Sequence, residues 1–175
     1  MTILRVDGLS KRYPAFCLRD VSFSIEEGRV MGLIGRNGAG KTTTIKSILR
    51  LVRPDGGTVQ FLGKPLDMDA SALRREAGYV SGDLCYYPRK RLSQLTAVTK
   101  SFYPSWDDKK YEALLHRFSL DETKRVCELS AGMKVKYQLA CALSHGAKLL
   151  ILDEPTSGLD PVSRDDLLDL LRTLC

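Results

Sequence analysis

The chain has 175 residues, of which 43% are hydrophobic and 27% are charged, and its formal net charge is +6. This composition favours one soluble globular domain with room for a small attached lobe, and no apolar run approaches the roughly 20 residues that cross a bilayer. The five scattered cysteines include no C-x-x-C pair, and the basic residues form no long stripe. We therefore expect a cytoplasmic protein with reduced thiols, no structural zinc and no nucleic-acid partner.

The first third of the chain predicts β-structure that leads into a glycine-rich loop. Residues 3–6 predict a short strand, and residues 18–25 alternate between apolar and polar side chains, as half-buried strands do. A turn is predicted at residues 26–28. The continuous apolar run at residues 30–34 predicts a strand that is buried on both faces.

A helix is predicted directly after the glycine-rich loop. It is followed by a turn at residues 54–57 and by strands at residues 58–62 and 78–81. The helix prediction depends on apolar residues that recur at helical spacing, namely Ile45, Ile48, Leu49 and Val52.

The second half of the chain is dominated by helical patterns. Residues 92–142 are predicted to be mostly helical, with breaks at Pro104 and near Ser119. A second apolar strand is predicted at residues 149–152, and a last helix begins near Pro161. Strands that alternate with helices predict an α/β fold with a mainly parallel sheet, and the long helical stretch is sufficient for a separate lobe.

The most specific motif is GRNGAGKT at residues 35–42. It fits the phosphate-loop pattern G-x-x-x-x-G-K-[ST] between a predicted strand and a predicted helix. Glycines let the backbone wrap closely around phosphate oxygens, and the N–H groups at a helix start supply partial positive charge. We expect Lys41 to reach the β- and γ-phosphates of a nucleotide and the hydroxyl of Thr42 to ligate Mg²⁺.

Two acidic residues follow the second apolar strand. Asp153 and Glu154 would lie at the carboxyl edge of the sheet, where ligands of open α/β folds bind. We expect Asp153 to hold Mg²⁺, and Glu154 to act as the catalytic residue that orients the attacking water or serves as its general base. A helix or turn cap is the alternative interpretation of such a pair.

Three segments, GRNGAGKTT, LSAGMK and LLILDEPTSGLDP, together resemble the nucleotide-binding domain of ATP-binding cassette (ABC) ATPases. The resemblance covers essentially the whole chain. It implies a P-loop NTPase with a mainly parallel sheet core, an N-terminal antiparallel β subdomain and an inserted α-helical subdomain at about residues 84–142. Residues 1–175 would then be one ABC ATPase domain that is incomplete at its C-terminus. Within the family, the chain is most similar to ATPases of bacterial antibiotic and multidrug exporters.

The resemblance also implies roles for single residues. Two domains would pack head to tail, as a homodimer or as paired subunits, so that the signature motif at residues 129–133 caps the ATP held by the partner's phosphate loop. Tyr13 would stack on adenine, and the D-loop around Asp160 would contact the opposite subunit. Ser130 is also predicted to cap the helix that follows it. The residues implied in ATP binding are Tyr13, Gly35, Asn37, Gly38, Ala39, Gly40, Lys41, Thr42, Thr43, Ser130, Gly132 and Asp160.

The chain departs from the family pattern near its Mg²⁺ site and in its signature motif. Gly82 stands where the family has a glutamine, and we hypothesise that the neighbouring Asp83 replaces that glutamine as a metal ligand. Ala131 replaces a more usual glycine, a change that Gly132 makes tolerable.

The family's switch histidine is a third departure. The chain ends at Cys175, before the strand that carries this histidine in the family. His145 precedes the acidic strand and is predicted at a helix C-terminus, where a positive charge is favourable, and His116 lies in the helical region. We therefore expect weak or absent ATPase activity from this chain.

The leading functional hypothesis is an ATP-hydrolysing subunit that powers export through a separate membrane permease, on the inner face of the cell membrane. One alternative is a nucleotide-binding module with little or no hydrolysis, because the switch-histidine region is missing. Another is a non-transport ABC protein that acts on nucleic acid or ribosomes. The second alternative is disfavoured because the chain has neither a long coiled-coil insertion nor two cassettes in tandem.

Overall fold

The computed structural model describes residues 1–66, 70–82 and 87–173, which form an α/β structure. Two compact units are present, one within residues 1–74 and one that begins at Arg75. The first unit contains β1 (Thr2–Tyr13), β2 (Phe16–Glu26), α1 (Lys41–Ile48), β3 (Gly56–Phe61), β4 (Lys64–Pro65) and most of α2 (Ser71–Glu76). The second contains β5 (Ala77–Ser81), α3 (Leu92–Ser101), α4 (Asp108–Arg117), a 3₁₀ turn (Val126–Glu128), α5 (Ala131–Ser144), β6 (Leu149–Asp153) and α6 (Pro161–Thr173).

The first unit is built on an antiparallel sheet with strand order β2-β1-β3-β4. Val6 on the central strand β1 is opposite Phe23 on β2 and Val59 on β3. Val6 and Val59 are fully buried, and Ile45 and Ile48 of α1 are also buried. The apolar stripe predicted for this helix is therefore confirmed at Ile45 and Ile48, and Leu49, the C-cap residue, is buried as well.

The strand β1 is three times as long as the four residues predicted from the sequence. Its pairing with β2 shifts register between Thr2 and Leu4, between Val6 and Leu9, and between Leu9 and Lys11. Each shift breaks the two-residue alternation of side chains. The predicted residues 3–6 contain the stretch Leu4–Val6, which pairs with β2 without a shift.

The buried strand predicted at residues 30–34 is wrong. These residues form no strand, and Val30 and Ile34 are 78% and 95% exposed. Among the described residues, no neighbouring strand supplies hydrogen bonds to this run. Hydrophobicity alone does not make a strand, because an extended segment also needs a ladder partner.

The second unit packs helices against a parallel pair of strands, β5 and β6. Gly78 on β5 is opposite Leu150 on β6. A Cβ at Gly78 would lie only 2.4 Å from Cβ of Ala142 and 2.9 Å from Cδ2 of Leu150. The absence of a side chain at residue 78 thus lets α5 approach β5 closely.

Hydroxyl groups link three helices inside this unit. Thr96 on α3 shares hydrogen bonds of 2.7 Å with the hydroxyl of Tyr111 on α4 and of 3.1 Å with the hydroxyl of Tyr137 on α5. Tyr111 also donates to Oε1 of Glu122 at 3.0 Å. All three helices belong to the stretch predicted as mostly helical, and its breaks fall near the predicted Pro104 and Ser119. Two short elements, α2 and β4, were not predicted.

No helix among residues 1–66, 70–82 and 87–173 is long and apolar enough to cross a membrane.

His145 is the C-terminal cap of α5, as predicted, but its buried surroundings disfavour a positive charge. The residue is only 4% exposed, and its ring stacks on Tyr103 with centroids 3.9 Å apart and planes 11° apart. Its buried Nδ1 has no hydrogen-bond partner among the described residues. Burial lowers the pKa of His145, so the desolvation cost outweighs the favourable helix end that the sequence suggested.

We expect His145 to make the free energy of unfolding depend on pH. In the unfolded chain its pKa returns to about 6.5, so the unfolded state binds more protons than the folded state, and the stabilisation present above that pKa is lost as the pH falls below it. Urea unfolding of the wild type and His145→Gln at pH 7.5 and 5.5 measures this loss. The extra loss in the wild type should approach, and not exceed, about 1.4 kcal/mol, because pH 5.5 lies one unit below the pKa of the unfolded chain.

The exposed His116 provides the control. His116→Gln should keep the pH dependence of the wild type. Equal pH dependence in the wild type and His145→Gln would contradict the assignment.

Candidate functional site

The phosphate-loop motif forms a tight turn that ends at the start of α1. The N–H of Ala39 donates to the carbonyl of Arg36 at 3.0 Å, and Gly38 and Gly40 have φ angles of 82° and 96°. These angles lie in the left-handed region that only glycine adopts readily. Gly40 is the N-cap of α1, and as a glycine it has no side chain that could cap the helix.

The side chain of Lys41 lies over this loop. Its Nζ donates hydrogen bonds to the carbonyl oxygens of Gly35 at 3.0 Å and Arg36 at 3.3 Å. Thr42 and Thr43 follow in the first turn of α1, and Asn37 lies within the loop. The predicted phosphate-binding residues are thus brought together in one short segment with a cation and a helix N-terminus, which is suited to an anion.

The tip of the hairpin formed by β1 and β2 contacts the same loop. A Cβ at Gly40 would lie 2.7 Å from Cζ of Phe16 and 3.0 Å from Cδ1 of Leu18. The ring of Phe16 is in turn stacked against Tyr13, with centroids 6.4 Å apart. The hairpin therefore connects the predicted adenine-binding residue to the phosphate loop through Phe16, a residue that the sequence analysis missed.

Asp55 fixes the end of β1 next to Tyr13. Its carboxylate accepts hydrogen bonds from the backbone N–H of Arg12 at 2.7 Å and from Nζ of Lys11 at 2.9 Å. These two bonds lower the pKa of Asp55, with the Arg12 N–H as the larger cause. The Nζ of Lys11 also lies 5.6 Å from the ring centroid of Tyr13. Asp55 was predicted only as part of a turn.

The acidic residues lie at the carboxyl end of β6, as predicted. Asp153 is opposite Ser81 on β5, and its Oδ2 accepts a hydrogen bond of 3.3 Å from the hydroxyl of Tyr79. Burial, with the charge of Asp153 as a second cause, raises the pKa of Tyr79. Glu154 follows with a φ angle of 49°. The sequence analysis missed Tyr79, which it treated only as part of the strand predicted at residues 78–81.

The signature motif forms the N-terminus of α5. The hydroxyl of Ser130 accepts a hydrogen bond of 3.2 Å from the N–H of Met133, so the predicted N-cap is confirmed. A Cβ at Gly132 would lie 3.6 Å from Cβ of Ser163 and 3.7 Å from Cδ2 of Leu159. The signature helix start and the segment after β6 are therefore close neighbours within the second unit.

Asp160 caps α6. Its carboxylate accepts from the N–H of Ser163 at 3.0 Å and from the hydroxyl of Ser163 at 2.6 Å. These bonds lower the pKa of Asp160. The D-loop residue is thus held in an ionised form within its own chain.

Gln138 is another residue that the sequence analysis missed. Its Nε2 donates to the carbonyl of Ser81 at 2.8 Å, and its Oε1 accepts from the N–H of Ser81 at 3.1 Å. Gln138 lies on the signature helix α5, so this pair of bonds joins that helix to the end of β5. The sequence alone does not predict this contact, because it depends on the packing of α5 against β5.

The structure groups the predicted site residues into two sets. Tyr13 and residues 35–43 lie in the first unit, whereas Ser130, Gly132, Asp153, Glu154 and Asp160 lie in the second. The first set is suited to phosphate and a flat base, and the second supplies carboxylates. The predicted metal ligand Asp83 lies outside the described residues.

The family model described as "ABC transporter" matches residues 18–157. The chain belongs to the ABC transporter family. A solved ATP-binding subunit of an ABC transporter superposes with a TM-score of 0.83 at 33% identity, over 98% of this chain and 74% of that one. The α/β P-loop NTPase fold predicted from the sequence is thereby confirmed.

Several curated ABC proteins are similar in sequence. The ATP-binding protein YtrB of Bacillus subtilis is 35% identical over 88% of this chain and 52% of its own length. The Nod factor export ATP-binding protein I of Burkholderia orbicola is 36% identical over 99% of this chain and 60% of its own length. The phosphonates import protein PhnC 1 of Rhodopseudomonas palustris is 33% identical over 99% and 69%. The ABC chain thus spans about half to two thirds of the length of these relatives.

The contact between the hairpin tip and the phosphate loop predicts an effect of Gly40→Ala. The substitution places a Cβ in the left-handed region, at a cost of about 1–2 kcal/mol, and adds an overpacking cost of about 1–3 kcal/mol against Phe16 and Leu18. Gly63→Ala is the matched control, because Gly63 has a φ angle of 75° but no atom within 4 Å of the added Cβ.

Urea unfolding should show a larger loss of free energy for Gly40→Ala than for Gly63→Ala. In a Phe16→Ala background, the extra loss of unfolding free energy caused by Gly40→Ala should be smaller, because the added Cβ no longer meets the ring of Phe16. Equal losses for the two glycine variants would show that the hairpin does not press on the loop.

Proposed function

We propose that this protein is an ATP-binding and ATP-hydrolysing subunit of an ABC transporter. The observation that carries the proposal is the loop at residues 35–42, which ends at the start of α1. Nζ of Lys41 donates a hydrogen bond to the carbonyl of Gly35 in this loop, and Phe16 at the hairpin tip lies against Gly40. This arrangement suits a nucleotide, because the loop offers N–H groups and a cation to phosphate and Tyr13 offers a face to the base. Membership of the ABC transporter family supports it.

In this proposal, each polar group has a defined role in ATP binding or hydrolysis. Lys41 neutralises charge on the β- and γ-phosphates, and Tyr13 stacks on adenine. The hydroxyl of Thr42 and the carboxylate of Asp153 are hard oxygen donors of the kind that Mg²⁺ prefers, and the ion would neutralise phosphate charge. Glu154 accepts the proton of the attacking water or orients that water.

The proposal includes a second subunit and a permease. Ser130 and the backbone at Gly132 present a helix N-terminus that suits the γ-phosphate of ATP on a partner, head to tail, in a homodimer or a pair of related subunits. Residues 84–142 are the helical subdomain in this scheme. A separate membrane permease converts the motion into transport, with this chain peripheral on the cytoplasmic face of the membrane.

We propose export as the direction of transport. The export relative from Burkholderia orbicola is 36% identical to this chain, and a probable multidrug ABC transporter ATP-binding protein, YbhF of Escherichia coli, is 32% identical. The import relative PhnC 1 is 33% identical, so the direction is tested through the permease. Vesicles that contain this protein and its permease partner should move substrate away from the side that holds ATP.

Two substitutions test the nucleotide chemistry. Lys41→Ala should weaken ATP binding, because a cation on the phosphates is lost. Glu154→Gln should retain ATP binding but lower the turnover number by about 10²- to 10⁴-fold. Fluorescent-nucleotide titration and phosphate release with Mg²⁺ measure the two quantities.

Lys46→Ala is the control, because Lys46 is an exposed lysine on the same helix. It should leave both quantities unchanged. A wild type that binds ATP without releasing phosphate would favour the alternative of a nucleotide-binding module, and a wild type that binds no nucleotide would exclude both functions.

The head-to-tail pair predicts an ATP-dependent cross-link between two molecules. Asn37→Cys and Lys134→Cys would be placed on separate copies of a cysteine-free Glu154→Gln chain, where bound ATP persists. A short thiol cross-linker should join the two copies only when ATP is present. A control cysteine at the exposed Lys64 on β4 should give no product. A lack of ATP-dependent product at residues 37 and 134 would argue against the sandwich of two subunits.

A further inference from the structure

A cavity of about 250 Å³ lies in the first unit, at the turn that connects α1 to β3. Its wall is formed by Arg50, Arg53, Pro54, Asp55, Gly56 and Gly57. The eight residues of α1 span about 12 Å, and the phosphate loop lies at the other end of this helix. The cavity is therefore separate from the candidate nucleotide site.

Arg50 reaches this wall through a backbone conformation that a non-glycine residue rarely takes. Its φ angle is 56°, in the left-handed region. Hydrogen bonds at the end of α1 hold the conformation: the N–H of Arg50 donates to the carbonyl of Ser47 at 3.2 Å, and the N–H of Leu51 donates to the carbonyl of Lys46 at 2.9 Å. A glycine would adopt it without strain, so the backbone alone does not account for an arginine here.

The charge of Arg50 has no counterpart among the residues that the structure describes. Its Nε is buried and has no hydrogen-bond partner there, and neither Arg50 nor Arg53 forms an ion pair with a described carboxylate. Burying a guanidinium N–H without an acceptor is unfavourable. Arg53 is exposed, and on its own it would be an ordinary solvated side chain. Two positive side chains that line one cavity, however, repel each other unless an anion lies between them.

The negative groups at this turn are bonded to other donors. The carboxylate of Asp55 accepts from the N–H of Arg12 at 2.7 Å and from Nζ of Lys11 at 2.9 Å. The carbonyl of Leu49, at the C-cap of α1, accepts from Nη1 of Arg74 at 3.2 Å. The helix end contributes only about half a negative charge, against two full positive charges in the wall. Neither group therefore explains the two arginines.

We propose that this cavity binds a small, soluble phosphate monoester, with the guanidinium groups of Arg50 and Arg53 as its ligands. A guanidinium group presents a planar fork of N–H donors that matches the oxygens of a phosphate. Two such groups match the charge of a phosphate monoester, which is close to −2 at neutral pH. The cavity is smaller than the roughly 300–1,000 Å³ of pockets that enclose drug-sized ligands, which favours a small ligand.

The first test is a titration with inorganic phosphate, followed by NMR on ¹⁵N-labelled protein. Lys41→Ala is the background, because it weakens binding at the phosphate loop. The amide signals of Gly56 and Gly57 and the Nε–H signal of Arg50 should shift together and saturate with one Kd. Shifts that grow linearly with phosphate, without saturation, would overturn the proposal.

Substitutions at Arg53 test its role as a ligand, and the exposure of this residue makes loss of the fold an unimportant outcome. Arg53→Gln should raise the Kd on the order of 10-fold, because a charge-assisted contact is lost. Arg53→Lys should have a smaller effect, since it keeps the charge and loses only the fork. Arg29→Gln removes an exposed arginine beyond β2 and should leave the Kd unchanged. Equal Kd values in Arg53→Gln and Arg29→Gln would contradict the assignment.

A second titration distinguishes a soluble ligand from a membrane lipid that carries the same group. Glycerol 3-phosphate should bind at least as tightly as inorganic phosphate, and Arg53→Gln should weaken this binding as well. Vesicles that contain phosphatidic acid provide the other arm. Sedimentation with these vesicles that requires Arg53, without saturable binding of glycerol 3-phosphate, would overturn the proposal of a soluble ligand.

The site is independent of the proposed ATPase function. Arg53→Gln in an otherwise wild-type chain should therefore retain the wild-type affinity for ATP. Absence of phosphate binding at this turn would refute the site and leave the proposed function as it stands.

Discussion

The structure depends on glycines at which neighbouring atoms lie closer than an added Cβ would allow. Gly57 lies against Gly8 in the first sheet, where an added Cβ would be 2.5 Å from backbone atoms of residues 8 and 9. Gly40 brings the hairpin tip onto the phosphate loop, and Gly78 brings α5 onto β5. Two of these contacts bear on the candidate site, because Gly40 begins α1 at the phosphate loop and Gly78 lies against the signature helix α5. The packing around the candidate site therefore depends on the absence of side chains at these positions.

The candidate site could be predicted well where chemistry requires a fixed local pattern. The loop at residues 35–42, the N-cap at Ser130 and the acids at the end of β6 each depend on neighbours in sequence. Phe16, Tyr79 and Gln138 could not be predicted, because each acts through a partner that is distant in the chain. The assignment of ATP chemistry to these residues stays a prediction.

The fold shows the same division between local and distant effects. The helices α3, α4 and α5 follow from apolar spacing, since one buried face of a helix repeats in sequence. The run at residues 30–34 did not become a strand, because pairing depends on a neighbour that hydrophobicity does not specify. His145 was placed correctly at a helix end, but its charge state depends on the burial under Tyr103 that no local pattern reports.

The hydroxyl bonds among Thr96, Tyr111 and Tyr137 have a mechanical consequence for the signature motif. A side-chain oxygen at the core of three helices holds α5 to α3 and α4. Ser130 therefore cannot shift along the axis of its helix without either breaking these bonds or carrying the two neighbouring helices with it. While these bonds persist, α3, α4 and α5 are coupled as one group, so that a movement of the signature helix α5 is shared with its two neighbours.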